Sequence, residues 1–209
     1  MRLLQLPFTE DEGVKIEAGL NEKGSVNSQS TAAAVAEAAA IAQANGETSV
    51  EFELPEGTKG ISASAVQKLV DAAGDTEVVV NIPTVVDGEA VGSVSVPLTS
   101  DSGQILTGMT FDTKRTEQVE NYVANKWDTE VLGSFETAQK GGWGATATLS
   151  IGLEKLGFSA DDGTKLYALI YDTKAKKWYQ SNAEVIDGEV VIKTKRSGIV
   201  TIVTEPVKK

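Results

Sequence analysis

The sequence predicts an α+β protein, with helix–strand repeats followed by a mainly antiparallel β-sandwich. Three observations lead there. A helix–turn–strand unit is written twice at a constant spacing of 28 residues (Gly46 to Gly74), so that Gly46-Glu-Thr-Ser-Val-Glu-Phe-Glu-Leu-Pro55 lies over Gly74-Asp-Thr-Glu-Val-Val-Val-Asn-Ile-Pro83. From Thr129 onward, short runs rich in Val, Ile and aromatics alternate with turn residues, the pattern of a sandwich. Hydrophobic residues make up 41% of the chain but aromatics only 6%, so the core is expected to be aliphatic. Two regions are expected: 1–110, helix–strand repeats behind a flexible N-terminal segment, and 111–209, mainly β with one leading helix.

Taken in order, residues 3–8 read as a short strand, and 14–20 as another because Val14, Ile16 and Ala18 alternate with Lys15, Glu17 and Gly19. Residues 21–30, rich in Asn, Gly and Ser, read as a loop. Residues 31–44 are almost all alanine, the best helix former, with Ser30 or Thr31 to cap the start and Gly46 to stop it. A strand over 49–54 follows, Val50, Phe52 and Leu54 inward, ended by Pro55. The second helix, 64–73, carries Ala65, Val66, Leu69, Val70 and Ala73 on one face, behind Ser62 or Ser64 as cap. Its strand, 76–82, leads to Asp87-Gly88, the dipeptide of a tight hairpin. Val94, Val96 and Leu98 mark the returning strand, and 105–111 the next.

A third helix over 116–127 presents Val119, Tyr122, Val123 and Trp127 together. With Thr129-Glu-Val131 it makes a fainter third copy of the repeat. The remainder reads as strands at 130–137, 144–151, 165–172, 178–182, 183–187, 189–193 and 198–204, with a second Asp-Gly hairpin at Asp187-Gly188.

Composition narrows function. The formal charge is −11, from 30 acidic and 19 basic residues, which argues against nucleic acid and against electrostatic attachment to anionic lipid. The chain has no His and no Cys. That removes His-based triads, thiol nucleophiles, disulfides and the usual zinc sites. No apolar run has the ~18 residues of a membrane span. The start, Met1-Arg-Leu-Leu-Gln-Leu-Pro-Phe-Thr-Glu-Asp-Glu12, is too short an apolar run for a signal peptide and turns acidic at once.

Candidate chemistry is sparse. Neither Asp161-Asp162-Gly163 nor Glu10-Asp11-Glu12 has the spacing of a calcium loop, so both read as solvated acids. Gly141-Gly-Trp-Gly144 lacks the lysine and the strand–helix setting of a phosphate loop and reads as a corner over which Trp143 packs. No cofactor and no metal is expected, and no residues suit a catalytic role. The one binding candidate is aromatic: Trp143, Trp178 and Tyr179, with Trp127, as a platform for sugar rings. Packing in core and strand edges is the other reading of the same residues.

The stretches Gly142-Trp-Gly-Ala-Thr-Ala-Thr-Leu-Ser-Ile151, Gly163-Thr-Lys-Leu-Tyr-Ala-Leu-Ile-Tyr-Asp-Thr-Lys-Ala-Lys-Lys-Trp-Tyr179, Val185-Ile-Asp-Gly-Glu-Val-Val-Ile-Lys193 and Ser197-Gly-Ile-Val-Thr-Ile-Val203 resemble a β-rich C-terminal module of Firmicutes (clostridial and ruminococcal) cell-surface and cellulosome-associated proteins. The resemblance runs over roughly residues 45–205. It departs at Lys195-Arg196-Ser197-Gly198, where the family has a histidine-containing entry to its closing strand. The resemblance implies an extracellular, non-catalytic structural or adhesive module. Its partners would be neighbouring surface-protein domains, or extracellular glycan or protein. A carbohydrate-binding module and a virion or assembly subunit are the alternatives.

Overall fold

The computed structural model describes residues 15–17, 28–55, 58, 60–106 and 108–208. The first expected strand, 3–8, lies outside the described residues. In chain order the elements are β1 (Lys15–Glu17), α1 (Ser28–Asn45), β2 (Ser49–Glu53), β3 (Gly60–Ile61), α2 (Ala63–Ala73), β4 (Glu77–Val86), β5 (Glu89–Leu98), β6 (Ile105–Leu106), β7 (Met109–Phe111) and α3 (Lys114–Trp127). Then follow β8 (Val131–Thr137), β9 (Gly142–Gly152), α4 (Leu153–Leu156), β10 (Lys165–Asp172), β11 (Lys177–Ile186), β12 (Glu189–Arg196) and β13 (Ile199–Val203). The α+β class is thus as expected from sequence.

Eleven strands form one mixed sheet in the order β1-β2-β4-β5-β9-β12-β11-β10-β13-β8-β7, and β3 pairs with β6 apart from it. The first three strands are parallel, each step made through a helix. Every other neighbouring pair in the sheet is antiparallel.

The repeat explains the parallel part. In the β2–β4 ladder Ser49 faces Glu77 and Phe52 faces Val80, a shift of 28 residues that equals the spacing of the two sequence copies. Equivalent residues are therefore lateral neighbours. Both copies put buried side chains on the same sheet face: Val50 and Phe52 in β2, Val78, Val80 and Ile82 in β4. A one-residue slip would turn all of them outward.

The helices follow local chemistry. Ser62 caps α2, its hydroxyl accepting from the N–H of Ala65, and Gly74 ends it at φ 61°. Helix α1 starts at Ser28, so Ser30 and Thr31 lie inside its first turn rather than capping it. Both turns of Asp87-Gly88 and Asp187-Gly188 have positive φ at both residues, as a tight hairpin requires.

Three expectations change. The strand expected over 105–111 is two, β6 and β7. The strands expected at 178–182 and 183–187 are one, β11, because the ladder to β10 runs unbroken from Glu184 to Lys177. And the region after 129 is not wholly β: Leu153–Leu156 makes one helical turn between Gly152 and Gly157, burying both leucines.

The ladder between β5 and β9 ties residues 92–95 to 148–151, so the sheet continues across residue 110. It also curls, bringing β7 at one edge back against β4. Inside the curl lies one aliphatic core that includes Val50, Leu69, Val96, Phe135, Leu149 and Ile202. Each fully buried side chain of this size contributes roughly 1.5–3 kcal/mol. A second, smaller cluster lies on the other face of the sheet, under α3, around Val123, Leu169 and Val203.

Candidate functional site

Of the aromatic residues singled out in the sequence, Trp127 and Trp178 come together, while Trp143 and Tyr179 lie apart from them. Trp143 is 2% exposed. Its indole N–H donates to the carbonyl of Arg196 at 3.0 Å, so the ring is a fixture of the core and offers no face to a ligand. Trp178 and Tyr179 are adjacent on β11 and so point to opposite faces of the sheet. Tyr179 packs against the inner core, and the Arg196 guanidinium stands 4.6 Å from its ring centre.

Trp178 faces outward and meets a different set of rings. Tyr122 of α3 lies parallel to it, centroids 5.7 Å apart and planes 9° from parallel. Trp127 meets it edge-on at 5.2 Å, and Tyr171 lies tilted at 5.1 Å. Lys126 caps the group, 4.7 Å from the Trp127 ring and hydrogen-bonded to the Tyr122 hydroxyl at 2.9 Å. Rings at these separations attract beyond the area they bury.

Local sequence builds this cluster. Thr113 caps α3 in a reciprocal box with Thr116, and the helical spacing puts Val119, Tyr122 and Val123 over the sheet. The turn at 173–176 is held by the Asp172 carboxylate, which accepts from the N–H groups of Lys174 (2.9 Å) and Ala175 (2.8 Å). That turn sets Tyr171 opposite Trp178. Tyr171 and Tyr122 were not legible in the sequence as neighbours of Trp178. The hairpin register was the available signal for the first; no local signal points to the second.

Chemically, the cluster presents one open ring. Tyr122 is 48% exposed, while Trp178, Trp127 and Tyr171 are half-buried. The rings are stacked on one another rather than laid side by side, so the arrangement offers a single apolar face with a lysine at its rim.

Two grooves indent the described surface. The larger, about 640 Å³, runs along the outer face of β10–β12 and is lined by Lys165, Tyr167, Asn182, Glu184, Ile186 and Lys193 among others. The smaller, about 230 Å³, lies between α3 and β8 and includes Asp112, Glu120, Ser134 and Lys155. Of the acids weighed for calcium, Glu10, Asp11 and Glu12 lie outside the described residues. Asp162 accepts from the Gly188 N–H at 3.2 Å, and the Asp161 carbonyl accepts from Thr164, which makes them turn residues. Among the described residues no group of three potential metal-binding side chains converges, and no helix is long and apolar enough to cross a membrane.

No family model matches the chain, and no curated protein or solved structure matches it either.

Proposed function

We propose that this chain is a non-catalytic structural or adhesive module of a bacterial cell-surface protein, which spaces neighbouring domains or attaches them to extracellular protein or glycan. The observation that supports this best is where the resembling stretches fall. They form β9, the β10–β11 hairpin, the β11–β12 hairpin and β13, that is, ladder and turn positions of one continuous sheet. Residues spent on strand pairing and on an aliphatic core suit a load-bearing or spacing role. The same reading takes the curled sheet as a sandwich whose halves face each other across that core. The larger groove has one carboxylate, Glu184, among its lining residues, a poor basis for acid–base catalysis.

The test is antibody labelling of source cells before and after permeabilisation. The expected result is labelling of intact cells. Labelling only after permeabilisation overturns the proposal.

A carbohydrate-binding module is the second reading, favoured by the exposed Tyr122 ring stacked on Trp178. It predicts that a soluble glycan protects Tyr122 and that Tyr122→Ala abolishes binding while the fold remains.

A further inference from the structure

We propose that the molecule associates head to tail with a second copy of itself, a lysine rim on one copy meeting a glutamate face on the next. This goes beyond the surface-module reading and does not rest on it.

The chain is acidic overall, yet its charge is segregated. Residues 1–112 hold 17 acidic and 5 basic side chains, whereas residues 165–209 hold 5 acidic and 9 basic. The fold gathers part of the basic set. The turns β8–β9, β10–β11 and β12–β13 meet at one end of the sheet: the Ser197 N–H donates to the Gly141 carbonyl at 2.9 Å, and Lys174 packs beside Gly141. Exposed Lys174, Lys176, Lys177 and Lys195 sit on these turns and strand ends.

The carboxylates within that end are already engaged. Asp172 is 1% exposed and bonded to two backbone N–H groups, with Arg196 at 3.8 Å. Glu136 is paired with Arg115 at 3.0 Å and with Lys140 at 2.7 Å. The four lysines form no ion pair among the described residues. Like charges held together without a counter-charge repel, and an external anionic surface relieves that repulsion.

The matching surface is on the same molecule. Glu51 and Glu53 of β2 and Glu77 of β4 share the sheet face turned away from the inner core. These three glutamates likewise form no ion pair among the described residues. Because rim and face are different patches, their contact is heterologous and builds rings or open chains rather than isologous dimers. The net charge of −11 opposes association at long range, but charges in facing patches lie closer together than the screening length of about 10 Å at 0.1 M salt, so the patches decide the outcome.

Light scattering and sedimentation across protein concentration test this. Two variants are needed. One carries Lys174→Glu, Lys176→Glu, Lys177→Glu and Lys195→Glu. The other carries Glu51→Lys, Glu53→Lys and Glu77→Lys. Circular dichroism checks the fold of both, and Lys→Gln and Glu→Gln versions stand in should a reversal fail to fold.

The unaltered protein is expected to grow in mass with concentration below 0.1 M salt, and to return to monomer near 1 M, where screening shortens to about 3 Å. Each reversed variant alone stays monomeric, the association weakened at least about tenfold. Mixed together, the two reversed variants associate again, because each now meets its complement. With the neutral versions, loss of association supports the same contact. The proposal is overturned by a monomer at every concentration in low salt, by association that persists at 1 M salt or in both variants, or by assembly that appears only on adding heparin. In that last case the rim binds a polyanion rather than a second copy.

Discussion

The two hydrophobic clusters of this protein differ in chemistry and in closure. The inner core is large, almost wholly aliphatic and sealed by the curled sheet and helices α1, α2 and α4; its members include Phe52, Phe135, Leu149 and Ile192, all at 0% exposure. The outer cluster lies between the single helix α3 and the sheet: Val123, Tyr122 and Trp127 come from the helix, Leu169, Trp178 and Val203 from the strands, and its rings are half-open to solvent. Strand alternation fills the inner core through period-two patterning. The outer cluster depends on one capped helix finding one patch of sheet. The inner core therefore governs global stability, and the outer cluster governs whether α3 stays docked.

The comparison is tested most severely at its extremes. Phe135→Ala removes a fully buried ring from the inner core and is expected to cost about 3–5 kcal/mol, lowering the denaturation midpoint of the whole molecule. A loss below about 1 kcal/mol would place Phe135 outside the cooperative core. Trp178→Ala strips the outer cluster and is expected to cost less, about 1–3 kcal/mol, since the ring is only half-buried. Its signature is local: hydrogen exchange speeds up in α3 before it does in β9 or β10. Equal acceleration in all three elements would erase the distinction between the clusters.

Thr113→Ala removes the cap of α3 and is expected to cost about 1 kcal/mol, again felt first in α3. Arg115→Ala breaks a half-exposed ion pair with Glu136, which keeps Lys140, and is expected to change stability by less than about 1 kcal/mol. Acrylamide quenching separates the clusters optically. Trp143→Phe is expected to leave the quenchable fluorescence nearly unchanged, whereas Trp178→Phe reduces it.

Sequence reading succeeded where the determinants are close in the chain. The repeat at Gly46 and Gly74, the caps at Ser62 and Gly74, and the Asp-Gly hairpins are written within a few residues. The 28-residue spacing even contained the β2–β4 register, because two copies of one unit lying side by side keep equivalent residues level. The third copy shows the limit. Val119, Tyr122 and Val123 do form a helix, and it does lead through a turn at Asp128 into a strand. Yet β8 pairs antiparallel with β13 and β7, far from β2 and β4. Helix, turn and strand follow from local propensity, but the neighbour is chosen by apolar faces distant in sequence. The candidate aromatics show the same limit. Trp178 and Tyr179 looked like a pair because they adjoin in the chain, whereas strand geometry sends them to opposite faces. Trp143 packs beside its glycines as the corner reading expects, but the Arg196 carbonyl that receives its N–H lies 53 residues away and is not legible locally.

The position of β13 has a consequence for synthesis. It is hydrogen-bonded between β10 and β8, although it follows both in the chain. Until it emerges from the ribosome, β8 and β7 have no ladder connecting them to the other strands, and the edges of β10 and β8 stand open. The nascent chain therefore holds an unfinished sheet until β13 is made, and a stall ahead of Ile199 would leave two sticky edges for chaperones to cover.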